Sequence, residues 1–516
     1  MSQLQISAGR RFNRRLALRG AVTTGVAIAA GGLSYPVLAG QRSPATPEPP
    51  QTPPVAIPDT AIGREFASLV ESVNSRDPDR LLAHFDEYAP PGMAESMAVI
   101  TFMNSRPLGD LVVHRIDDAC ESSVTALVEA TLSEEWISIT LLRDEEGPHI
   151  ELVPAAPLGG ASLDGLLDDD ALAAEMSRYL EKLAGAGVFS GAVLVARGGE
   201  TLFSGAYGLA NVERHEVNTA QTRFNLGSMN KMFTATAIAR LVESGELTFS
   251  DPIATHLPDF PTKVADKVTI HHLLTHTSGL GDFFGPRYDA ERESLHTLDD
   301  YLQLFVDEPL RFEPGERHEY SNAGFIVLGL IIEAVSGQDY FDHVREQVYI
   351  PAGMTATDAF ERDAPTPSLA TGYTFRMPDD RSEVTFADVL DGPVANDFFL
   401  SPRGTSAGGG YSTVEDLVRF DRALRSGMLV APELVATLTE GKVDTPMPGV
   451  RYAYGFVDDR AGAERIVGHS GGAPGINGNL DMFWDSDLTV VVLANVDGTA
   501  QLIQRKTRDL LGADPG

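Results

Sequence analysis

The sequence predicts a mixed α/β protein of the α+β type. Its larger domain builds one sheet from both of its ends around a helical middle, and a small α+β domain precedes it. Three observations carry this. Paired strand patterns occur near 191–207 and again near 478–493, with mostly helical periodicity between them. A helical stripe followed by strand patterns starts at Asp59, just after a proline-rich stretch. Hydrophobic residues make up 43% of the 516 positions, with 24 Phe, 13 Tyr and two Trp, which supplies a sizeable core and excludes wholesale disorder.

Residues 1–40 read as an export leader. They hold five arginines (Arg10, Arg11, Arg14, Arg15, Arg19) and no acidic residue, followed by a mild apolar run that ends in Val37-Leu38-Ala39. Arg14-Arg15-Leu16-Ala17-Leu18-Arg19 resembles a twin-arginine signal with Ala17 in place of the usual aromatic residue. Cleavage would leave a periplasmic or secreted protein. A retained leader would anchor the chain, and only then does a membrane enter as a partner. Residues 41–58 contain seven prolines and predict an extended spacer.

From 59 to 157 the chain predicts the small domain. Ile62, Phe66, Leu69, Val70 and Val73 fall at helical spacing, with Asp59 or Thr60 as cap. Leu111 to Val113, Val124 to Leu132 and Trp136 to Leu142 alternate as strands. No catalytic constellation is visible there, and Cys120 reads as an inert, packed or half-exposed thiol. Pro154 to Ser162 marks a boundary, and the larger domain occupies 165–516. It opens with a helix (Leu172, Met176, Tyr179, Leu180, Leu183) whose start carries the Asp168-Asp169-Asp170 cluster. A hairpin turning at Gly198-Gly199 follows, and the domain closes with strands at Gly478 to Trp484 and Leu488 to Leu493 and a helix at Leu502 to Leu511.

Charge and cysteine content exclude several function classes. With 40 basic against 73 acidic residues, a net charge of −33, the chain lacks the cationic excess that a nucleic-acid surface needs. A single cysteine excludes an internal disulfide and a multi-cysteine metal site. His271, His272 and His276 lack the glutamate that a zinc-protease helix carries, so no metal or cofactor is expected.

The informative segments lie in the larger domain. Phe224 to Lys231 leads into a helix former from Met232 to Val242, so Ser228 begins a helix and Lys231 follows one turn later on the same face. A serine hydroxyl needs a base to become nucleophilic, and a lysine can serve if burial lowers its pKa. The helix N-terminus places partial positive charge beside a developing oxyanion. Tyr320 and Asn322 flank Ser321 in a loop before an apolar helix at Ile326 to Val335, so both can face one cleft. Gly468-His469-Ser470-Gly471-Gly472 lies on an expected strand, where small residues let a ligand approach the backbone.

These motifs, in this order, resemble the serine β-lactamase and penicillin-recognising family, in its branch of class C β-lactamases, D-alanyl-D-alanine carboxypeptidases and esterases. Ser228-x-x-Lys231, Tyr320-x-Asn322 and His469-Ser470-Gly471 match, and Leu273 to Leu280, Ser336-Gly337, Pro351 to Met354 and Ser406 to Thr413 support them. The resemblance covers about 165–516. It implies an antiparallel sheet flanked by helices plus an all-helical lobe, with the site between them. It further implies Ser228 as the acylated nucleophile, with Lys231 and Tyr320 sharing proton transfer. Asn322 would bind the substrate amide or position Lys231, and the Gly472 and Ser228 N–H groups would hold the oxyanion. His469 and Gly471 would line the substrate-binding strand. His469 departs from the family, since it stands where β-lactamases carry a lysine that binds a substrate carboxylate. That shifts the expectation toward small-molecule or peptide substrates with ester, amide or peptide bonds and away from β-lactams. A true class C-like β-lactamase and a catalytically silent binding or sensor protein are the rival readings, and the second has no chemical need for Ser228, Lys231 and Tyr320 together.

Overall fold

The computed structural model describes residues 55–144, 147–155, 167–375, 384–462 and 464–512. The leader, positions 41–54 of the spacer and 156–166 of the boundary lie outside the described residues. Among those described, no single helix is long and apolar enough to cross a membrane.

In the small domain, α1 (Ala61–Ser75) starts at Thr60, whose hydroxyl accepts from Gly63 N at 3.1 Å, and buries Ile62, Phe66, Leu69 and Val73. Two helices follow that periodicity did not predict, α2 (Pro78–Tyr88) and α3 (Ala94–Ser105). In α3 the apolar residues do not form one stripe. Met97 and Ala98 join the small-domain core, whereas Val99, Phe102 and Met103 pack against the larger domain. The strands β1 (Leu111–Ala119), β2 (Ser123–Ala130), β3 (Glu135–Asp144) and β4 (Gly147–Pro154) form an antiparallel sheet in sequential order. The sequence reading missed β4, where Ile150 and Leu152 alternate with His149 and Glu151 over too short a span to stand out. Cys120 is exposed rather than packed, and hydrogen bonding from Ser123 and Ser122 lowers its thiol to about 7.

The larger domain opens with α4 (Asp169–Gly185), capped by Asp168 accepting from Ala171 N at 2.8 Å, while Asp169 pairs with Arg197. After the hairpin β5 (Gly191–Arg197) and β6 (Glu200–Tyr207) come the helices that matter for the site, α5 (Asn230–Glu243) and α6 (Asn322–Ser336). Shorter helices lie between them. The short α7 (Phe386–Asp391) faces α3, and α8 (Val414–Arg425) lies against the sheet. The chain then returns to the sheet with β7 (Val443–Asp444), β8 (Val450–Tyr452), β9 (Val457–Asp459), β10 (Ile466–Ala473), β11 (Ile476–Phe483) and β12 (Leu488–Ala494), and ends in α9 (Ala500–Leu510).

The eight strands run in the order β7-β8-β9-β10-β11-β12-β5-β6, every pair antiparallel, so β12 joins β5 across nearly the whole domain length. Both faces are covered. Ala192, Leu194, Val491 and Leu493 point into a core shared with α5, α6 and α8, while Val193, Val195, Val490 and Val492 point into one shared with α4 and α9. That double burial is why these strands read as near-continuous apolar runs. Helices α5 and α6 are buried on almost every side.

The two domains are joined by the β2–β3 turn. Glu134 accepts from Arg178 at 2.7 Å, Lys182 at 2.6 Å and Lys506 at 3.0 Å, and Ser133 O accepts from Tyr179 at 2.9 Å. Burial opposes the Glu134 charge, yet these three cations hold its carboxyl down at about 2. Glu134→Gln should therefore lower stability by about 2 kcal/mol near neutral pH. The depressed carboxyl contributes fully above its ordinary value of 4.5 and loses that contribution as pH falls toward about 2. Melting temperatures of the two proteins should accordingly converge across that window. A gap that stayed constant down to its lower end would assign the stabilisation to something other than the Glu134 charge.

Candidate active site

Ser228 lies in a single 3-10 turn (Gly227–Met229) that feeds α5, and Lys231 occupies the first turn of that helix. Their spacing brings Lys231 Nζ to 3.2 Å from Ser228 Oγ. The lysine is fully buried, and its amine also donates to Asn322 Oδ1 at 2.8 Å and Ala407 O at 2.6 Å. An ammonium would donate to all three oxygens, whereas the neutral amine keeps two N–H groups for the amide and carbonyl oxygens and can accept from the Ser228 hydroxyl. Burial lowers Lys231 to about 7, against a weaker opposing pull from Asp282.

Tyr320 and Asn322 reach the same point, as the loop spacing predicts. The Tyr320 phenol lies beside Ser228, and Lys231 Nζ stands 4.8 Å from the Tyr320 ring centre. The tyrosine keeps 37% of its surface exposed. Its hydroxyl end is desolvated, which pushes the phenol well above its ordinary value. Burial thus favours the neutral form of both groups, the protonated phenol and the unprotonated amine.

Two residues that the sequence reading did not assign hold this group in place. Asp282 Oδ2 accepts from Asn322 Nδ2 at 2.8 Å, which fixes the amide with its oxygen toward Lys231. Burial raises the Asp282 carboxyl, partly offset by the Asn322 hydrogen bond. His276, buried and in the left-handed region at φ 57°, stacks on Tyr320 with ring centres 4.2 Å apart. Its Nδ1 accepts from Ser321 N at 3.1 Å and its carbonyl accepts from Glu319 N at 2.9 Å, so it grips the loop on both sides of Tyr320. The Leu273–Leu280 segment signalled this region, and only the fold shows what it touches. His271, His272 and His276 turn to separate partners: Tyr454, Thr269 N and Ser321 N.

Strand β10 closes the other side. A Cβ on Gly471 would stand 1.9 Å from Leu226 O, so any side chain there would force the strand off the Ser228 turn. Gly227, at φ 50°, is also tight against the strand: its Cβ would fall 3.0 Å from Gly472 N. The β10–β11 hairpin pairs Ala473 with Ile476 across two residues, so Ala473 and Gly471 bond β11 and the Gly472 N–H points to the opposite edge, toward the cleft. Strand β9 pairs with β10 only as far as Gly468, which leaves that edge open.

His469 lies on β10 as a hydrogen-bonding residue of that strand. Its Nδ1 donates to Ser470 O at 2.5 Å and its Nε2 accepts from Tyr452 OH at 3.0 Å, so both ring nitrogens are used inside the protein. Burial, with a further push from Lys231, lowers it to about 4 and keeps it neutral. Gly471 lets β10 approach the Ser228 turn closely. Among the described residues no cluster of three or more His, Cys, Asp or Glu could hold a metal ion.

The Beta-lactamase family profile matches residues 176–514. Esterase EstB of Burkholderia gladioli is 33% identical over 340 residues, which covers 59% of this chain and 85% of the esterase. Among solved structures, a penicillin binding protein from Bacillus halodurans superposes with a TM-score of 0.57 at 32% identity, covering 64% of this chain and 99% of that one. A D-stereospecific amidohydrolase from Streptomyces sp. superposes with a TM-score of 0.53 at 25% identity, covering 65% and 98%. The matched region begins inside α4, so the small domain stands outside the profile.

Asp282→Asn should release the Asn322 amide to flip and lower turnover of any substrate of this site by about 10–100-fold, with little change in melting temperature. Gly471→Ala should cost as much or more. Turnover within about twofold of wild type in Asp282→Asn would mean that the carboxylate does not orient the amide.

Proposed function

The chain belongs to the beta-lactamase family, and from that premise we propose a serine hydrolase that opens ester or amide bonds of small, uncharged substrates through an acyl-enzyme on Ser228. One observation carries the proposal: a fully buried lysine amine, held by two neutral oxygens, faces the Ser228 hydroxyl at 3.2 Å.

With Lys231 lowered to about 7, a large share of it is neutral near pH 7 and can take the Ser228 proton as Oγ attacks the carbonyl carbon. Oxyanion charge would be met by the N–H groups of Ser228 and Gly472 at the touching point of the two backbones. Tyr320, kept protonated, would pass a proton to the leaving group and be refilled from the Lys231 ammonium across the Ser228 site. Water then releases the acyl group by the reverse sequence. Lys231 is thus the base and Tyr320 the donor, the division their opposite shifts support.

Neutral substrates are favoured because His469 is uncharged and has no free N–H to offer a carboxylate. The same fact weighs against efficient β-lactam hydrolysis. The relative named as an esterase supports ester turnover. Export belongs to this proposal too, supported by the arginine-rich leader. An N-terminus recovered near residue 40 from the periplasm or medium would support it, and an intact leader on cytoplasmic protein would refute it.

Short-chain p-nitrophenyl esters should be turned over, and Ser228→Ala should abolish this while leaving the fold intact. A fluorophosphonate probe should leave its adduct on Ser228. Ester turnover that survived in Ser228→Ala would move the nucleophile elsewhere, and absence of both turnover and adduct would favour a silent binding protein. As pH rises, kcat/KM should increase through an apparent pKa near about 7, because only the unprotonated amine accepts the proton. In Lys231→Arg that limb should vanish with the activity.

A further inference from the structure

Two phenylalanines follow Asp282 directly, and they part company. The Phe283 ring is buried, edge-on to Tyr301 at 5.1 Å. The Phe284 ring is 45% exposed, an unusual setting for so large an apolar group. A short chain of contacts ties it to the site. Lys231 donates to Asn322 Oδ1 at 2.8 Å, Asn322 Nδ2 donates to Asp282 Oδ2 at 2.8 Å, and Asp282 Oδ1 accepts from Phe284 N at 3.3 Å.

Phe399 reaches the same place from the strand side. The Asn396 amide donates to Pro474 O at 2.7 Å, in the turn of the β10–β11 hairpin and two residues beyond Gly472. Three residues after Asn396, the Phe399 ring lies 6.1 Å from the Phe284 ring, with 18° between their planes. Residues 396–399 therefore bridge from the β10 side of the cleft to the Asp282 side, and the two rings meet at that end. The bridge is fixed along its length. Phe399 N donates to Asn396 O at 2.9 Å, Phe399 O accepts from the Tyr288 hydroxyl at 3.2 Å, and Leu400 O accepts from Arg362 Nη1 at 3.0 Å. Tyr288 also sets its ring edge-on to Phe284 at 4.9 Å. Aromatic faces held rigid beside a nucleophile, yet open to solvent, offer surface that a substrate ring can cover.

We propose that Phe284 and Phe399 form the acyl-group subsite of this hydrolase and select esters and amides of arylacetic acids. The inference rests on the serine-hydrolase reading and names its substrate class. Tyr320 meets the leaving group in that reading, which leaves the Asn322 side, with Asp282 and Phe284, to the acyl group.

The test compares p-nitrophenyl phenylacetate with p-nitrophenyl cyclohexylacetate on the full chain. The two esters share leaving group and carbon skeleton, and each kcat/KM is divided by that ester's rate with hydroxide. The ratio should favour phenylacetate by about threefold or more. It should fall toward unity in Phe284→Leu and in Phe399→Leu, and return in Phe284→Tyr, which restores a ring. Phenylacetamide should likewise bind Ser228→Ala more tightly than cyclohexylacetamide does in calorimetry, and adding Phe284→Leu should remove the difference. Equal turnover of the two esters by wild type, or a preference that persists in both leucine variants, would overturn the subsite and leave the Ser228 mechanism standing. Were neither ester hydrolysed, the Ser228 reading would fail by itself, and equal affinities of the two amides would then decide against the subsite as well.

Discussion

A lysine amine sealed away from water without an ionic partner in contact is the constraint on which the site depends. Desolvation penalises the ammonium, and the nearest carboxylate, Asp282, reaches Lys231 only through the Asn322 amide. Were that carboxylate in direct contact, it would restore the charge and remove the base. The intervening amide lets Asp282 orient Asn322 while leaving the amine close to neutral. The surrounding architecture maintains the seal: α5 is buried on almost all sides, and the Ala407 carbonyl accepts from the amine opposite Asn322.

Backbone proximity is the second constraint. The Ser228 turn and β10 touch at Gly227, Gly471 and Gly472 with no space for a Cβ at Gly471. This close approach brings the backbones of two segments distant in the chain to one point beside Ser228. Strand β10 is placed by its partners β9 and β11, and β11 in turn by β12 lying against β5, so the pairing of the domain's two ends sets the geometry of the cleft. Opposite β10, His276 holds the Tyr320 loop through two backbone bonds and a ring stack. The cleft is therefore built between a strand edge and a buttressed loop.

Much of the fold was legible because its signals are local. The Gly198-Gly199 hairpin, the helical stripe from Leu172 to Leu183 and the apolar runs of β11 and β12 each announce themselves within a dozen residues. The helices α2 and α3 and the strand β4 did not. Helix α3 divides its apolar residues between two domains, so no single stripe forms, and β4 is short and half polar. The Ser228–Lys231 contact was legible for the same local reason, since three residues in a helical turn put two side chains within reach.

By itself the sequence determined residue types, local periodicity and the order of motifs along the chain, and these suffice for the fold class and for a serine placed one turn before a lysine. Only the tertiary structure decided what each group is. Burial lowers the Lys231 amine and raises the Tyr320 phenol, Asp282 chooses the face of Asn322, and the Tyr452 hydroxyl engages the His469 ring. The physical reason is that proton affinity and hydrogen-bond capacity depend on desolvation and on neighbours brought in from tens to hundreds of residues away. Neither quantity is a property of any local stretch of chain.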